Sequence, residues 1–349
     1  MTYGRSINID FKSRNNGEED GAPVAIRRPA YGRLSAARLA LFGISPREAE
    51  FSVRGFSATD PARRDRLETV GRSFVAGYNA ALAAGQGDAV IEQLAEFPEA
   101  LRGFVVEGTA MGLALLDIVT PWPRRSFAAF VAGPAEPYTY LAYVGAGWAL
   151  ARTSWRLAGR LGRLDPLLRW LMFDGFGFHA GYFLPRRVFD QHWRPGLPQG
   201  YAAHAFDQGL GRALWFAMGA SGEAVCAAVE TFAPERRPDL WSGIGLAAAY
   251  AGGAGAEELT ALVQAAGGSR LDLGQGAAFA AAAHLRAGVL PDHTEAACQV
   301  LCGADGHTAS ALTAEVRPDP EADPAGQHYE AWRGAIRAGI AAGKGNASC

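Results

Sequence analysis

FDGFG at residues 173–177 and FDQGLG at residues 206–211 are two copies of one phrase, and this phrase decides the fold. In each copy an apolar residue and a polar residue precede a Gly-x-Gly step, and a run rich in aromatic residues and alanine follows. Such a run, with apolar residues recurring three and four positions apart, is typical of a buried helix. The two copies therefore predict a repeated helical unit between residues 171 and 216.

Weaker copies of the phrase extend the repeat in both directions. One glycine marks each copy, and successive copies are 37, 30, 34, 34 and 33 residues apart. These landmark glycines are Gly108, Gly145, Gly175, Gly209, Gly243 and Gly276. A period of this size is typical of stacked helix pairs, as in α/α solenoids and closed toroids. We predict about six helix pairs between residues 65 and 287.

A second sign of repetition is a match without gaps at an offset of 135 residues. Residues 88–90 read Asp-Ala-Val and residues 223–225 read Glu-Ala-Val. Further on, phenylalanine, arginine and glycine recur at the same offset. These later pairs are Phe97 with Phe232, Arg102 with Arg237, and Gly108 with Gly243. Self-similarity of this kind predicts that the two segments have the same local structure.

The remaining segments complete an all-α prediction. Residues 1–28 are polar and are expected to form a disordered tail, residues 29–342 a single helical repeat domain, and residues 343–349 a C-terminal tail. A helix with a glycine stop is predicted over residues 34–43. Apolar and polar residues alternate over residues 50–56, and this alternation predicts a short extended segment.

Composition restricts the function classes. The net charge of −2 argues against a nucleic-acid partner, which requires a dense basic surface. The longest apolar run, at residues 138–151, is shorter than the roughly 20 residues of a membrane span, and no signal peptide begins the chain, so we expect a cytoplasmic protein. Four cysteines do not make a disulfide framework here, and Cys298 and Cys302 are expected to be buried without a metal.

Polar groups around the two best copies are the candidate catalytic residues. They are Asp174, His179, Asp207, Gln208 and Arg212. Two carboxylates on one rim or inner wall suit acid–base work or metal binding, with Asp174 and Asp207 holding the same place in neighbouring units. The alternative is that both aspartates cap helix N-termini, which Asp does well. The Gly-x-Gly step has two interpretations as well: approach of a ligand to free N–H groups, or close packing of helices.

Aromatic residues beside these polar groups form the candidate ligand-binding set. They are Phe176, Phe178, Tyr182, Phe183, Trp215, Phe216 and Trp241. An aromatic pocket with few polar groups fits an apolar ligand, and a well-filled core has the same composition. Arg236, Arg237 and Asp239 indicate a salt bridge between repeats or, alternatively, an anion site. The long polar connection at residues 185–200 is either functional or a cap on a groove.

Five longer phrases carry a family resemblance. They are HAGYFLPRRVF from residue 179, GYAAHAFDQGLGRALWF from 200, RRPDLWSGIGLAAAYAGG from 236, GQGAAFAAAAHLRAG from 274 and HTEAACQVLCG from 293. Over residues 28–303 the chain resembles an uncharacterised bacterial family of unknown function encoded in enediyne antibiotic cassettes. The resemblance implies a pathway: a polyketide synthase and a thioesterase release a linear polyene, and cassette proteins convert it to the enediyne core precursor. It carries over no catalytic residues.

Three functions remain open at this point. The chain is an enzyme or enzyme subunit acting on the polyene or polyyne, a non-catalytic scaffold that holds this apolar ligand for companion cassette proteins, or a self-resistance protein that sequesters the finished product. The sequence has no flavin, haem or metal motif, so the cofactor is unknown, and desaturation would need a redox partner. Converging polar groups in a closed cavity favour the enzyme, and an open apolar groove favours the scaffold.

Overall fold

The computed structural model describes residues 32–57 and 60–343, and it confirms an all-α fold: the described residues contain no strand. The tails predicted for residues 1–28 and beyond residue 343 lie outside the described residues. The α-helices are α1 (Arg33–Phe42), α2 (Phe51–Arg54), α3 (Pro61–Ala84), α4 (Asp88–Ile91), α5 (Glu99–Val119), α6 (Ser126–Ala132), α7 (Thr139–Arg152), α8 (Leu171–Phe183), α9 (Ala202–Ala217), α10 (Gly222–Glu230), α11 (Arg237–Ala251), α12 (Ala256–Ala266), α13 (Arg270–Arg286), α14 (Asp292–Leu301), α15 (Gly306–Glu315) and α16 (Gln327–Ala341).

The N-terminal part contains one confirmed prediction and one that is wrong. Helix α1 ends before Gly43, as its sequence predicted. The expected extended segment at residues 50–56 is instead the short helix α2, closed by Gly55 in the left-handed conformation at φ 70°. A tertiary contact explains the difference, because Glu68 accepts a hydrogen bond from the backbone N–H of Phe51, at 2.8 Å, and so caps the helix.

Long helices follow one another around the molecule and carry the landmark glycines. Helices α5, α7, α8, α9, α11 and α13 each contain one of the six. Each of these helices packs against the next in the chain of long helices, beginning with α3. Shorter helices such as α4, α10, α12 and α14 connect them, which gives the predicted alternation. Between α7 and α9 this second helix is missing, and 3₁₀ and π turns and the connection at residues 185–200 replace it.

The glycines lie where consecutive long helices cross, so packing explains the Gly-x-Gly step. A Cβ atom on Gly209 would lie 1.8 Å from the carbonyl oxygen of Asp174 on α8, and one on Gly177 would lie 1.9 Å from the carbonyl oxygen of Phe206 on α9. Gly211 and Gly243 show the same relation between α9 and α11. The two glycines of each phrase therefore face the preceding and the following helix. These glycines lie within the helices and leave no room for a ligand at the backbone.

Replacing Gly209 by alanine should lower the free energy of unfolding by about 3 kcal/mol, because the added methyl group forces two helix backbones apart. Gly334 is the matched control. A Cβ atom there has the side chain of Arg337 as its nearest neighbour, at 3.6 Å, so alanine should stabilise α16 by about 0.5–1 kcal/mol. Urea unfolding of the two variants measures both changes. Equal effects at both positions would contradict the packing explanation.

The match at an offset of 135 residues is also a match in structure. Arg102 donates a hydrogen bond from Nε to the carbonyl oxygen of Phe97 at 3.1 Å, and Arg237 donates one from Nε to the carbonyl oxygen of Phe232 at 2.9 Å. Both phenylalanine side chains are buried. The entrances to α5 and α11 are therefore built alike, as the repeat predicted.

The interior of the array is filled, because α5 contacts α11, which comes much later in the chain. The ring of Phe104 on α5 packs edge to face against Tyr250 on α11, with ring centres 5.1 Å apart. Buried apolar residues form one continuous core through all the long helices. The interior consequently holds closed or half-closed cavities in place of an open groove. Among the described residues, no helix is both long enough and apolar enough to cross a bilayer.

Candidate functional site

Three charged side chains meet at the centre of this core. Arg212 on α9 donates a hydrogen bond from Nη1 to Oδ1 of Asp174 on α8, at 2.6 Å. Its Nη2 lies 3.7 Å from Oε2 of Glu107 on α5. All three side chains are buried. We call Glu107, Asp174 and Arg212 the central triad. One cation faces two carboxyls there, so the triad carries an excess of negative charge when both carboxyls are ionised.

Glu107 is the unsatisfied member of the central triad. Neither oxygen of its carboxyl group has a hydrogen-bond partner among the described residues. Burial raises the pKa of Glu107 to about 7, although Arg212 lowers it in part. The indole N–H of Trp148 approaches this carboxyl and lowers the pKa slightly, without reaching hydrogen-bond geometry. A buried polar group without a partner is rare and calls for an explanation, such as a ligand or an ordered water molecule.

A first cavity begins at the central triad and lies between α7, α8, α9, α11, α13 and α16. It has a volume of about 40 Å³, and its walls include Asp174 and Arg212. The other walls are apolar or aromatic: Tyr140, Leu141, Val144, Leu171, Leu246, Tyr250, Phe279, Ala280, Ala283, Tyr329 and Trp332. Tyr140, Leu246 and Phe279 are half-buried, so they form the side of the cavity nearest to solvent.

A second cavity lies on the other side of the central triad, between α3, α5, α7, α8 and α9. It has a volume of about 30 Å³ and contains the Glu107 carboxyl. Its remaining walls are mostly aromatic or aliphatic: Ile44, Glu48, Val70, Gly71, Phe74, Val75, Phe104, Trp148, Phe178, Tyr182, Phe183 and Phe216. Arg212, which lines the first cavity, lies with its guanidinium 4.5 Å from the centre of the Phe178 ring, which lines the second. Each cavity is therefore small and mainly apolar, with a charged member of the central triad in its wall.

The register of the repeat explains why Asp174 and not Asp207 belongs to this site. Relative to the landmark glycines, Asp174 precedes Gly175 by one position, whereas Gln208 is the residue directly before Gly209. The predicted equivalence of the two aspartates is therefore wrong. So is the capping interpretation, because Asp174 is the fourth residue of α8 and Asp207 the sixth of α9, and neither is an N-cap.

Asp207 forms a separate ion pair on the far side of α9. Arg236 donates two hydrogen bonds to its carboxylate, from Nε at 2.9 Å and from Nη2 at 2.6 Å. Arg194, from the connection at residues 185–200, donates to both oxygens as well. The side chain of Asp207 is fully buried. Asp207 therefore anchors this connection to the repeat, and Arg236 serves as the salt bridge between repeats that its sequence indicated.

Gln208 belongs to a buried network around Arg333 of α16. Its amide oxygen accepts hydrogen bonds from the Arg333 guanidinium at 2.7–3.0 Å once the amide is turned to face it. Nη1 of Arg333 also donates to Asp239 at 2.8 Å and to the hydroxyl oxygen of Tyr201. This network joins α9, α11 and α16. Asp239 is thus a structural partner of Arg333, not of its sequence neighbour Arg236.

A model of a family of proteins of unknown function (DUF1702) matches residues 33–340. The chain belongs to the DUF1702 family. Comparison with curated proteins and comparison with solved structures each gave no match. The DUF1702 match covers the whole array of long helices, from α1 almost to the end of α16.

In this DUF1702 protein, His179 lies apart from the carboxyls of the central triad. Its ring packs against Trp148 and Phe183, with ring centres 5.5 and 4.8 Å apart. Burial, aided by the charge of Arg152, lowers the pKa of His179 to about 3, so the imidazole is neutral at physiological pH. His179 is not among the residues that line either cavity.

The predicted aromatic set divides into two groups. Four members line the second cavity: Phe178, Tyr182, Phe183 and Phe216. Three are core residues outside both cavities: Phe176, Trp215 and Trp241. Trp215 illustrates their role, because its indole N–H donates a hydrogen bond to the carbonyl oxygen of Gly252, at 2.9 Å, and ties α9 to the end of α11.

The main residue that the sequence-based prediction missed is Glu107. A signal for it exists, since Glu107 directly precedes the landmark Gly108 as Asp174 precedes Gly175. Reading that single position across the copies gives Glu107, Val144, Asp174, Gln208, Ser242 and Gln275. Five of these six are polar, and all six side chains are buried. The position before the landmark glycine is therefore the one that faces the interior.

Proposed function

We propose that the protein binds a linear, apolar, conjugated chain in its interior. The proposed ligand is the polyene or polyyne of enediyne biosynthesis, and the protein serves as an accessory factor in forming the core precursor. The pathway rests on the resemblance of the sequence to the cassette family. The ligand class rests on the two narrow, mostly apolar cavities, whose aromatic and aliphatic walls would contact both faces of a thin conjugated chain.

The observation that carries the proposal is the Glu107 carboxyl, which lines the second cavity and has no hydrogen-bond partner among the described residues. A core selected for stability alone would hold an apolar residue there, because an unsatisfied buried carboxyl is costly. Its presence is explained when the carboxyl acts on a bound ligand, as in proton transfer to a conjugated chain. In the bound state the chain occupies an aromatic cavity and displaces half-buried rings such as Phe183 and Phe279, which now close the cavities to about 30 and 40 Å³.

Proton transfer is a second candidate function, and the raised pKa of Glu107 favours it. A carboxyl with a pKa of about 7 both releases and accepts a proton near neutral pH. Shifting a double bond along a conjugated chain requires removal of a proton at one carbon and its return at another. The protein would then isomerise the polyene as well as bind it, and the reaction would consume no oxidant.

Binding is tested by titrating the linear polyene with purified protein and recording its absorbance, which shifts when a conjugated chain enters an aromatic site. The wild type should give a saturable shift. Ala283→Phe fills the first cavity and should weaken binding at least about tenfold. Ala331→Phe, on the exposed surface of α16, is the matched control and should bind like the wild type.

The pathway is tested in a host that carries the synthase and the thioesterase, with or without this protein. We expect the host without it to accumulate the linear polyene, and the wild-type gene to relieve the accumulation. Identical metabolite profiles in both hosts would overturn the pathway assignment. If the wild-type protein gave no saturable absorbance shift, the proposed ligand class would be overturned, whatever the metabolite profiles showed.

A further inference from the structure

A third cleft lies apart from the two interior cavities and shares no lining residue with them. It is bounded by the 3₁₀ turn Trp155–Leu161, the start of α8 and the end of the connection at residues 185–200. Its volume is about 320 Å³, at the lower end of the range usual for small-molecule sites. We call it the outer cleft.

The walls of the outer cleft are largely aromatic and aliphatic. The apolar members are Leu150, Trp155, Ala158, Leu164, Trp170, Met172, Phe173, Pro198 and Pro324. Both tryptophans are anchored by their edges: Trp155 donates from Nε1 to the carbonyl oxygen of Gly196 at 2.8 Å, and Trp170 donates from Nε1 to Oδ2 of Asp323 at 3.1 Å. Trp170 is buried and its ring is covered by the Arg169 guanidinium, 4.9 Å from the ring centre, so it forms the floor of the cleft. Trp155 is half-buried, and its ring is the aromatic surface that the cleft offers to a flat ligand.

Two arginines add positive charge to the outer cleft. Arg169 is committed to the protein, because its Nη2 donates to the carbonyl oxygens of Asp323 and Pro324 at 3.0 and 3.1 Å. Arg156 is exposed, and its guanidinium contacts only the Trp155 ring, 5.7 Å from the ring centre, among the described residues. Residues 152–169 contain five arginines and one aspartate. This segment of the cleft wall is therefore basic, although the whole chain is slightly acidic and the wall around Pro324 follows an acidic stretch.

We propose that the outer cleft binds a phosphorylated ligand with a flat aromatic ring, specifically the adenosine diphosphate part shared by coenzyme A and the dinucleotide redox cofactors. The adenine ring packs against Trp155, and the phosphates accept hydrogen bonds from Arg156, whose planar fork matches phosphate oxygens. This inference goes beyond the proposed polyene function. It gives the protein a way to hold a coenzyme or a coenzyme-linked substrate at a site separate from the interior.

The proposal is tested by titrating the purified full-length protein with ADP and recording the heat of binding and the tryptophan fluorescence. Binding should be saturable, and Arg156→Ala should weaken it about tenfold or more, the effect of losing a charge-assisted hydrogen bond. Arg163→Ala is the matched control, since Arg163 is an exposed arginine of the same segment that does not line the cleft, and it should bind like the wild type. Trp155→Ala should weaken ADP and adenosine equally.

Three further titrations distinguish the sources of this chemistry: coenzyme A, NAD⁺ and FAD. The whole ligand that binds more tightly than ADP identifies the coenzyme class. Absence of saturable ADP binding, or equal affinities in the Arg156 and Arg163 variants, would overturn the proposal. If adenosine bound as tightly as ADP, the phosphates would contribute nothing to the affinity, and Arg156 would not have its proposed role. None of these outcomes affects the polyene absorbance shift, so the two proposals fail separately.

Discussion

Replacing Glu107 by methionine should make the protein more stable and at the same time weaken ligand binding. Methionine has a similar volume and removes a buried carboxyl that has no hydrogen-bond partner, while Arg212 keeps its pair with Asp174 at 2.6 Å. Such replacements stabilise proteins by about 1–4 kcal/mol. Polyene affinity should fall at least about tenfold, because the site loses the carboxyl to which the proposal assigns contact with the ligand. Urea unfolding and the absorbance titration measure the two effects.

The gain in stability should depend on pH in a defined direction. The pKa of Glu107 rises from 4.5 to about 7 on folding, so between these values the folded protein holds a proton that the unfolded chain has released. The free energy of unfolding of the wild type therefore falls by up to about 3 kcal/mol as pH rises from 4.5 to 7. The difference between Glu107→Met and the wild type should grow over the same window.

Glu99→Met is the control for this experiment. Glu99 begins the same helix, is exposed, and pairs with Arg102 at 3.3 Å. Its replacement should change stability by less than about 1 kcal/mol and leave polyene binding intact. A Glu107→Met protein that is less stable than the wild type and still binds the polyene would assign Glu107 a structural role, with an ordered water molecule as its partner.

Replacing Arg212 by methionine should have the opposite effect on stability. It leaves two buried carboxyls, Asp174 and Glu107, without a cation, and removing one partner of a buried ion pair costs about 3–5 kcal/mol. Burial already raises the pKa of Asp174, and the loss of Arg212, whose charge lowers that pKa, should raise it further. Urea unfolding at pH 7 and at pH 5 should show the loss shrinking at the lower pH.

Arg64 provides the comparison for Arg212. It pairs with Asp65 on the surface at 3.1 Å, and Arg64→Met should cost less than about 1 kcal/mol. Adding Asp174→Asn to Arg212→Met should recover part of the lost stability, because it removes one of the uncompensated charges. Unchanged stability of Arg212→Met at pH 7 would contradict this prediction, because it would show that Arg212 does not stabilise the carboxylates of the central triad.

Much of the fold follows from the sequence because the repeat is local. The period of the landmark glycines predicted the long helices, and the match of Arg102 with Arg237 predicted two equivalent helix entrances. The exception is α2. An alternating pattern of only seven residues had predicted an extended segment there. A hydrogen bond from Phe51 to Glu68 on α3 decided that segment, and no local pattern encodes such a contact.

Less of the site was predictable. Asp174 and Arg212 were identified because aromatic residues lie near them in the sequence, and both line the first cavity. Four of the predicted aromatic residues line the second cavity. Asp207 was grouped with Asp174 because both follow a phenylalanine, yet one extra residue before Gly209 turns Asp207 to the far side of α9. On a helix, a shift of one position rotates a side chain by about 100°, since there are 3.6 residues per turn.

The helical class, the repeat and the crossing points could be predicted from the sequence, since each depends on spacing within one or two neighbouring helices. The approach of Glu107 of α5 to Arg212 of α9, at 3.7 Å, and the cavities beside them could not. The two helices are separated by α7 and α8 along the chain, so their contact depends on how all four helices pack, and no single motif contains that information.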